Sequence, residues 1–258
     1  MSCFIEKFMA SGKVSFSGMR DTAMSMLPKD KYTCDKIFNE LERGKGILDD
    51  DNHLNMYLRS FGPMHQAKLL YAFDSIPGIE SLFSQKVEIY DWGCGQGTAT
   101  INLLDYLRAK GVVANISHIH LIDPSQVAVN RASDVIKCYD KKYTIHKITK
   151  EFDALTSEDF IKSNTRKIHL FSNILDVEFF DIIKFTQLFQ ESFKGNNIFI
   201  CVGPYYTNNR RVDYFIAAIT PDLMFATANK DRGTWKKDWT LSEGAEKVLT
   251  FQILPSAG

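Results

Sequence analysis

Residues 89–99 read IYDWGCGQGTA, and this stretch decides the fold. It follows a short apolar run over residues 87–90 and precedes an amphipathic helical pattern over residues 98–110. Closely spaced glycines let the backbone turn tightly and approach a ligand without a Cβ clash. In open α/β sheets, ligands bind where a strand ends and a helix begins. The stretch therefore predicts a strand–loop–helix unit that binds a ligand.

The spacing of the glycines indicates the kind of ligand. Gly93, Gly95 and Gly97 form a GxGxG pattern, and Asp91 lies two residues before it. Enzymes that bind nicotinamide dinucleotides use GxGxxG instead, because their pyrophosphate needs bare N–H groups at the start of the helix. A carboxylate at this place suits a cationic ligand. The pattern thus disfavours a nicotinamide oxidoreductase, which remains an alternative.

Outward from this stretch, short apolar runs alternate with helical patterns. Further strands are predicted over residues 116–122, 143–148, 168–171 and 197–202. Such alternation indicates βαβ crossovers and a parallel sheet. Two last strand-like runs, 233–240 and 247–254, separated by Ser242-Glu243-Gly244, indicate an antiparallel hairpin. We expect an α/β, Rossmann-like, doubly wound domain over residues 85–258, with a mostly parallel seven-stranded sheet and a C-terminal antiparallel hairpin.

Residues 1–84 form a mainly helical segment that we expect to cap the site and help choose the substrate. Residues 1–31, rich in Ser, Gly and Met, read as a loose leader with at most one short helix. Gly62-Pro63 is predicted to separate a helical stretch at 55–59 from a helix over 64–73.

The chain resembles the class I S-adenosylmethionine-dependent methyltransferase superfamily over residues 86–254. The first motif of that superfamily is an acidic residue followed by GxGxG, as in Asp91 to Gly97. The second strand ends in Asp123-Pro124, the third is followed by Asp153-Ala154, and the fourth by Ser172-Asn173. These pairs occur in the order in which the superfamily places its cofactor contacts.

The resemblance implies S-adenosylmethionine as the cofactor and a role for each motif. Asp123 would accept two hydrogen bonds from the ribose diol, for which a carboxylate is suited; as an alternative, it is the N-cap of the next helix. Asp153 would accept a hydrogen bond from the adenine amine. The implied cofactor-binding residues are Asp91, Gly93, Cys94, Gly95, Gly97, Asp123, Pro124, Asp153, Ala154 and Ser172, with Asn173 facing the methyl group.

Methyl transfer depends mainly on the alignment of the reacting atoms. His65, at the start of the helix that leads into the core, is the second candidate catalytic residue beside Asn173. Arg59 is a candidate partner for the cofactor carboxylate, although an ordinary surface arginine is the alternative. Four other histidines, in or beside predicted strands, are interpreted as structural: His118, His120, His146 and His169.

The methyl acceptor is not identified by any motif. The Asp/Asn-Pro-Pro-Tyr signature of enzymes that methylate base amines is absent, since residues 172–175 read SNIL. One alternative is an RNA methyltransferase, with ribosomal RNA among its candidate substrates, favoured by basic and tryptophan residues near the C-terminus. Acidic residues in the same region nearly cancel that charge. The other alternative is a non-catalytic module that binds the cofactor or a partner. The basic residues are Arg210, Arg211, Lys230, Arg232, Lys236 and Lys237, with Trp235 and Trp239 between them.

Composition narrows the remaining possibilities. Thirty-one basic residues balance 31 acidic ones among 258 residues, so no overall field attracts nucleic acid or an anionic membrane. Five scattered cysteines without a CxxC pair predict neither disulfides nor a zinc site. No run approaches the ~18 apolar residues of a membrane span. We therefore expect a cytoplasmic enzyme without a metal or a membrane partner.

Overall fold

The computed structural model describes residues 2–44, 46–193, 195–204, 211–219, 225–236 and 241–253, with only the backbone for the last two ranges. The N-terminal part contains α1 (Cys3–Ala10), α2 (Phe16–Met26), α3 (Lys31–Glu40), α4 (Asp51–Asp74) and α5 (Ile79–Ser84). The remainder contains β1 (Val87–Trp92), α6 (Thr98–Ala109), β2 (Ile116–Ile122), α7 (Gln126–Tyr139), β3 (Thr144–Ile148), β4 (Arg166–Ser172), α8 (Ile182–Ser192), β5 (Asn197–Pro204), α9 (Arg211–Ile219), β6 (Phe225–Lys236) and β7 (Leu241–Ile253). Short 3₁₀ turns lie at Glu42–Gly44, Phe152–Ala154 and Ser157–Asp159.

The sheet has the strand order β3-β2-β1-β4-β5-β7-β6. The five strands β1 to β5 are parallel to one another. The prediction of an α/β, Rossmann-like fold with a parallel sheet is therefore confirmed. The strand order reverses between β1 and β4, and such a reversal opens a crevice at the carboxyl ends of the strands.

The last two strands differ from the predicted hairpin in their bounds. Strand β7 pairs antiparallel with both β5 and β6, and the last pair of the β6–β7 ladder joins Lys236 to Leu241. Residues 242–244, predicted as the turn, lie inside β7, where Gly244 pairs with Gly233. The predicted position of the turn was wrong, because residues 242–244 were taken as a turn for their Ser-Glu-Gly sequence, whereas they pair within the antiparallel β6–β7 ladder.

The two faces of the sheet bury different kinds of side chain. On one face, aliphatic residues such as Ile89, Ile119 and Ile168 pack with the N-terminal helices in a single core. On the other face, Tyr90, Trp92, Phe171 and Phe199 pack beneath α8 and α9 with other aromatic residues. Two strand histidines contribute to this aromatic layer: the His120 and His169 rings lie 4.0 and 5.2 Å from that of Tyr90. Their buried positions agree with a structural role.

Residues 1–31 are not a loose leader. They form α1 and α2, whose N-termini are capped by Ser2 and Ser15. Phe4, Phe8 and Phe16 are fully buried in the core beneath the sheet. The prediction failed because the two helices have only 8 and 11 residues, and helices this short are stabilised mainly by packing, here against the sheet domain.

Helix α4 continues through Gly62-Pro63, where the sequence predicted a break. Proline removes one backbone hydrogen bond from a helix interior, so packing must compensate for the loss. Gly62 provides part of that packing, since a Cβ at this position would lie 3.4 Å from the Phe16 ring of α2. Tertiary contact with α2 therefore outweighs the local signal.

A buried arginine joins the N-terminal helices to the sheet domain. The Arg131 guanidinium of α7 donates to Asp51 at 2.6 Å and to Asn55 at 2.7 Å, and it lies over the Phe4 ring at 4.0 Å. Apolar residues from before and after residue 85 share one core.

Among the described helices, none has the length and apolar character that a membrane crossing requires.

Candidate functional site

A cavity of about 590 Å³ opens at the carboxyl ends of β1, β2 and β4. Its volume lies within the range of small-molecule sites. One side, which we call the glycine wall, consists of Asp91, Gly93, Cys94, Gly95, Gln96, Thr98, Ala99, Asp123 and Pro124. The opposite side, the cap wall, comes from the N-terminal segment and contains Glu42, Gly44, Gly46, Ile47, Leu48, Tyr57 and His65. The segments after β3 and β4 complete the lining with Glu151, Phe152, Ser172, Asn173, Ile174, Val177, Phe179 and Phe180.

The glycine wall turns sharply after β1. Gly93 has a φ of +61°, and a Cβ there would lie 2.6 Å from Cγ1 of Ile174. Gly95 also has a positive φ, of +48°, but a Cβ there would meet nothing within 4 Å. Gly93 is therefore required by packing, whereas the backbone at Gly95 lies open to the cavity and to a ligand within it.

Asp91 is a buried carboxylate in the glycine wall. Its Oδ2 accepts hydrogen bonds from the Thr100 backbone N–H at 3.1 Å and from the Thr100 hydroxyl at 2.7 Å. Oδ1 has no hydrogen-bond partner among the described residues. Burial raises the pKa of Asp91 to about 7, and the nearby charge of Asp123 adds to the shift. A cationic group bound in the cavity would favour the ionised form and satisfy Oδ1.

Asp123 connects the glycine turn to the start of α7 through two hydrogen bonds. Its Oδ2 accepts from the Gly95 N–H at 2.8 Å, and its Oδ1 accepts from the Ser125 N–H at 2.9 Å. The N-cap of α7 is Ser125, whose hydroxyl accepts from the Ala128 N–H, so the alternative of Asp123 as the cap was wrong. Burial raises the pKa of Asp123. Each carboxylate oxygen can accept a further hydrogen bond, so the ribose role stays a prediction.

The two candidate catalytic residues lie together, although 108 residues separate them in sequence. Nδ2 of Asn173 lies 3.4 Å from Nδ1 of His65, and both residues line the cavity. Asn173 has a φ of +56° at the end of β4, a conformation that asparagine tolerates better than most residues. Burial lowers the pKa of His65 to about 3, so its imidazole is neutral.

Four of the residues predicted to bind the cofactor do not line the cavity. Asp153 faces the start of α8, where its Oδ1 accepts from the Asp181 N–H at 3.0 Å. Ala154 is part of a 3₁₀ turn, and Gly97 packs against Ala132 of α7. Arg59 is half-buried on α4, outside the lining. By contrast, Cys94, Pro124 and Ser172, which were also predicted, line the cavity.

Beside Asp153, its neighbours Glu151 and Phe152 reach the cavity instead. The 3₁₀ turn over Phe152–Ala154 rotates successive side chains by about a third of a turn, which directs Phe152 inward and Asp153 toward α8. A two-residue sequence motif cannot resolve such a rotation, so the adenine-binding role of Asp153 stays a prediction, although its side chain lies outside the cavity lining.

The sequence predicted that residues 1–84 cap the site and singled out His65, but it did not indicate the other residues of the cap wall. The Ser125 hydroxyl donates to the Leu48 carbonyl oxygen, and the Gln96 side-chain amide donates to the Leu54 carbonyl oxygen at 2.8 Å. These bonds hold Leu48 and the start of α4 against the glycine wall. No local pattern in residues 42–57 signals this, because the contacts are made between segments more than 40 residues apart.

The cavity lining is acidic. Four carboxylates line it, from Glu42, Asp91, Asp123 and Glu151, and the lining contains no lysine or arginine among the described side chains. Exposed apolar side chains, those of Ile47 and Phe179, complete the rim. Such a lining attracts cationic groups and repels phosphates.

A separate group of potential metal ligands lies outside the cavity. Asp49, Asp50 and His53 are close enough to share an ion, but both acids are exposed. The His53 ring nitrogens lie 2.7 Å from Asp49 Oδ1 and 3.2 Å from Glu40 Oε2. Hydrogen bonds within the group thus account for its arrangement.

No protein-family model and no curated protein sequence matches this chain. Among solved structures, the small RNA methyltransferase HEN1 is similar with a TM-score of 0.51 and 13% identity, over 77% of this chain and 26% of that one. Precorrin-6y C5,15-methyltransferase from Geobacter metallireducens has a TM-score of 0.47 and 10% identity, over 73% of this chain and 87% of that one. An S-adenosylmethionine-dependent O-methyltransferase from Thermotoga maritima has a TM-score of 0.44 and 12% identity, over 86% and 73%.

At these identities the likeness concerns the fold, and this chain spans about a quarter of the length of HEN1. The fold is therefore the α/β, Rossmann-like fold that HEN1 also has.

Proposed function

We propose that this protein is an S-adenosylmethionine-dependent methyltransferase that uses the cavity between the glycine wall and the cap wall. The observation that carries the proposal is the acidic lining at the carboxyl ends of β1 and β2, with Asp91 beside an open glycine turn. S-adenosylmethionine bears a sulfonium, an ammonium and one carboxylate, so it is a net cation. A dinucleotide would instead place its pyrophosphate among four carboxylates, which Coulomb repulsion disfavours.

The residues of the cavity suggest how the cofactor is held. Asp91 would bind the ammonium through Oδ1, and the open backbone at Gly95 would allow the methionine end to approach closely. Asp123 would accept from the ribose hydroxyls while it keeps its bonds to Gly95 and Ser125. Phe152 offers a ring face and Glu151 a carboxylate to the adenine, in place of the Asp153 expected from sequence.

The cofactor supplies an electrophilic methyl group, and the chain supplies position. The walls would exclude water from the transfer, and Asn173, His65 and Tyr57 would face the acceptor. Holding the acceptor in line with the methyl group accounts for most of the rate in such reactions.

The proposal is tested by incubating the protein with methyl-labelled S-adenosylmethionine and fractionated cell extract. We expect label to enter one class of acceptor, whether RNA, protein or small molecules, and Asp123→Ala to abolish the incorporation at low cofactor concentration. Binding of the cofactor without any transfer of label would support the non-catalytic alternative and contradict the proposed activity.

A further inference from the structure

Two buried side chains and the half-buried Asn173 form a chain of contacts at the transfer end of the cavity. Nζ of Lys68 lies 3.5 Å from Oδ1 of Asn173, and Nδ2 of Asn173 lies 3.4 Å from Nδ1 of His65. Lys68 and His65 are only 3% and 6% exposed. They lie one turn apart on α4, whereas Asn173 approaches them from the end of β4.

Lys68 determines the orientation of the Asn173 amide. An ammonium group has only hydrogen-bond donors and a positive charge, so the amide atom that faces it must be the oxygen. The Asn173 nitrogen then faces the other way, toward the His65 ring and the Ser172 hydroxyl at 3.2 Å. The reversed amide would place its NH₂ group against the ammonium, with two hydrogen-bond donors facing each other and no acceptor between them.

The orientation of the amide in turn determines the tautomer of His65. Because Asn173 presents N–H groups, Nδ1 of His65 must accept, and a neutral imidazole that accepts at Nδ1 carries its proton on Nε2. Burial lowers the pKa of His65 to about 3, and the charge of Lys68 lowers it further, so the ring is neutral. His65 lines the cavity, and its Nε2 is not one of the buried ring nitrogens without a partner, unlike those of His120.

We propose that His65 is a specificity-determining hydrogen-bond donor, fixed by Lys68 and Asn173 as the Nε2–H tautomer, and not a general base. The inference rests on the proposed function, and it names the acceptor class: an uncharged molecule with a carbonyl oxygen or an unprotonated ring nitrogen beside the atom that receives the methyl group. Lys68 and Asn173 are positioning residues.

Two features of the cavity restrict the acceptor to that class. The four carboxylates of the lining disfavour an anion. The Nδ1 lone pair of His65 accepts a hydrogen bond from Asn173, so it cannot take a proton from the methyl acceptor. The acceptor atom must therefore attack with a lone pair that is available without prior loss of a proton. The acceptor's lone pair then forms the bond to the methyl carbon, the carbon–sulfur bond breaks with its electron pair going to sulfur, and any excess proton leaves the acceptor for water.

The tautomer can be measured without knowing the acceptor. The full-length protein is labelled with ¹⁵N-histidine, and the His65 signals are assigned from their loss in His65→Gln. Long-range proton–nitrogen correlation spectra should show a neutral Nε2–H ring from pH 8 to pH 5. A neutral Nδ1–H ring, or an imidazolium above pH 5, would overturn the proposal.

Two variants test the chain of contacts. Asn173→Asp keeps the size of the side chain and its tolerance of a positive φ, but it presents an acceptor to His65, so the ring should change to Nδ1–H. Lys68→Met removes the charge that orients the amide, so both tautomers should become populated. A ring that stays Nε2–H in both variants would contradict the role of Asn173 and Lys68.

Activity tests the donor itself, with the extract fraction that takes up label as the probe. The ring centroids of His65 and Tyr57 lie 5.6 Å apart. His65→Phe keeps a ring against Tyr57 but removes the hydrogen-bond donor, whereas His65→Gln keeps an N–H group. Loss of one neutral hydrogen bond predicts about tenfold lower transfer at limiting acceptor for the phenylalanine variant, with a smaller loss for glutamine. Unchanged transfer by His65→Phe would overturn the proposal.

The affinity for S-adenosylhomocysteine separates this inference from the proposed function. Both His65 variants should bind it as the wild type does. If the wild-type protein does not bind it, the proposed function fails, and the tautomer measurement still decides the inference about Lys68, Asn173 and His65.

Discussion

The two walls of the cavity are built in different ways. The glycine wall is local: within about 30 residues, one strand, one turn and the end of the next strand bring Asp91, Gly95 and Asp123 together. The cap wall depends on long-range bonds, such as those of Ser125 to Leu48 and Gln96 to Leu54. A sequence motif can therefore predict one half of the site, whereas the other half is formed by contacts between segments that are distant in sequence.

The largest expected effect is on the whole fold. Deletion of residues 1–84 removes the cap wall and exposes the core that Phe4, Phe8 and Phe16 share with the sheet, and it leaves Arg131 without Asp51. We expect insoluble protein, or a soluble chain that does not bind S-adenosylhomocysteine in calorimetry. Tyr32→Ser, at an 82% exposed site in the same segment, is the control and should be neutral. A soluble truncation with unchanged affinity would show that the glycine wall suffices.

The second effect concerns Asp123 in the glycine wall. Asp123→Ala should weaken S-adenosylhomocysteine binding by ~10²-fold or more, because two charge-assisted hydrogen bonds are lost and ~1.4 kcal/mol is one decade. The melting temperature should also fall, since the Gly95 and Ser125 N–H groups lose their acceptor. Asp123→Asn should lose less affinity, because one oxygen still accepts.

Asp153→Ala is the matched control for Asp123, since its carboxylate faces α8 and not the cavity. Calorimetry should show little change in affinity for this variant. Unchanged affinity in Asp123→Ala, with only the melting temperature lowered, would remove Asp123 from the site.

A third effect follows from the raised pKa of Asp91. With a pKa of about 7, the carboxyl is mostly protonated at pH 6 and mostly ionised at pH 8 in the free protein. Since the ionised form binds an ammonium group, affinity for S-adenosylhomocysteine should rise with pH, by about 10-fold between these values. Asp91→Asn should flatten this dependence in the same titrations. Equal affinity of the wild type at both pH values would place the ammonium elsewhere.

A last pair of variants separates packing from binding within the glycine wall. Gly93→Ala should cost about 2–3 kcal/mol of unfolding free energy, from its positive φ and from the clash with Ile174. Gly95→Ala should cost only about 1 kcal/mol, because nothing lies near its Cβ position. Cofactor affinity should nevertheless fall in Gly95→Ala. Denaturant unfolding and calorimetry measure both quantities, and equal stability losses would contradict the assignment.

The predictability of the structure follows the same division. The parallel sheet and the glycine turn could be predicted because apolar periodicity and glycine spacing are local properties of residues 87–202. The helices of residues 1–31 and the passage of α4 through Pro63 could not, because packing against the sheet and against α2 stabilises them.

In the site, Asp91, Asp123, Asn173 and His65 were predicted and line one cavity. Asp153 was also predicted, but a 3₁₀ turn directs its carboxylate toward α8 and away from the cavity lining. Lys68 gave no signal at all: a lysine on a helix reads as solvent-exposed, and only the fold shows that it is 3% exposed beside Asn173.

The central claim is that the acidic cavity binds a sulfonium cofactor and not a dinucleotide. The most direct measurement is calorimetric titration of the full-length protein with S-adenosylmethionine, S-adenosylhomocysteine and NADH under one set of conditions. The account predicts saturable one-to-one binding of the first two in the micromolar range and no binding of NADH. Binding of NADH without binding of either sulfur compound would contradict it.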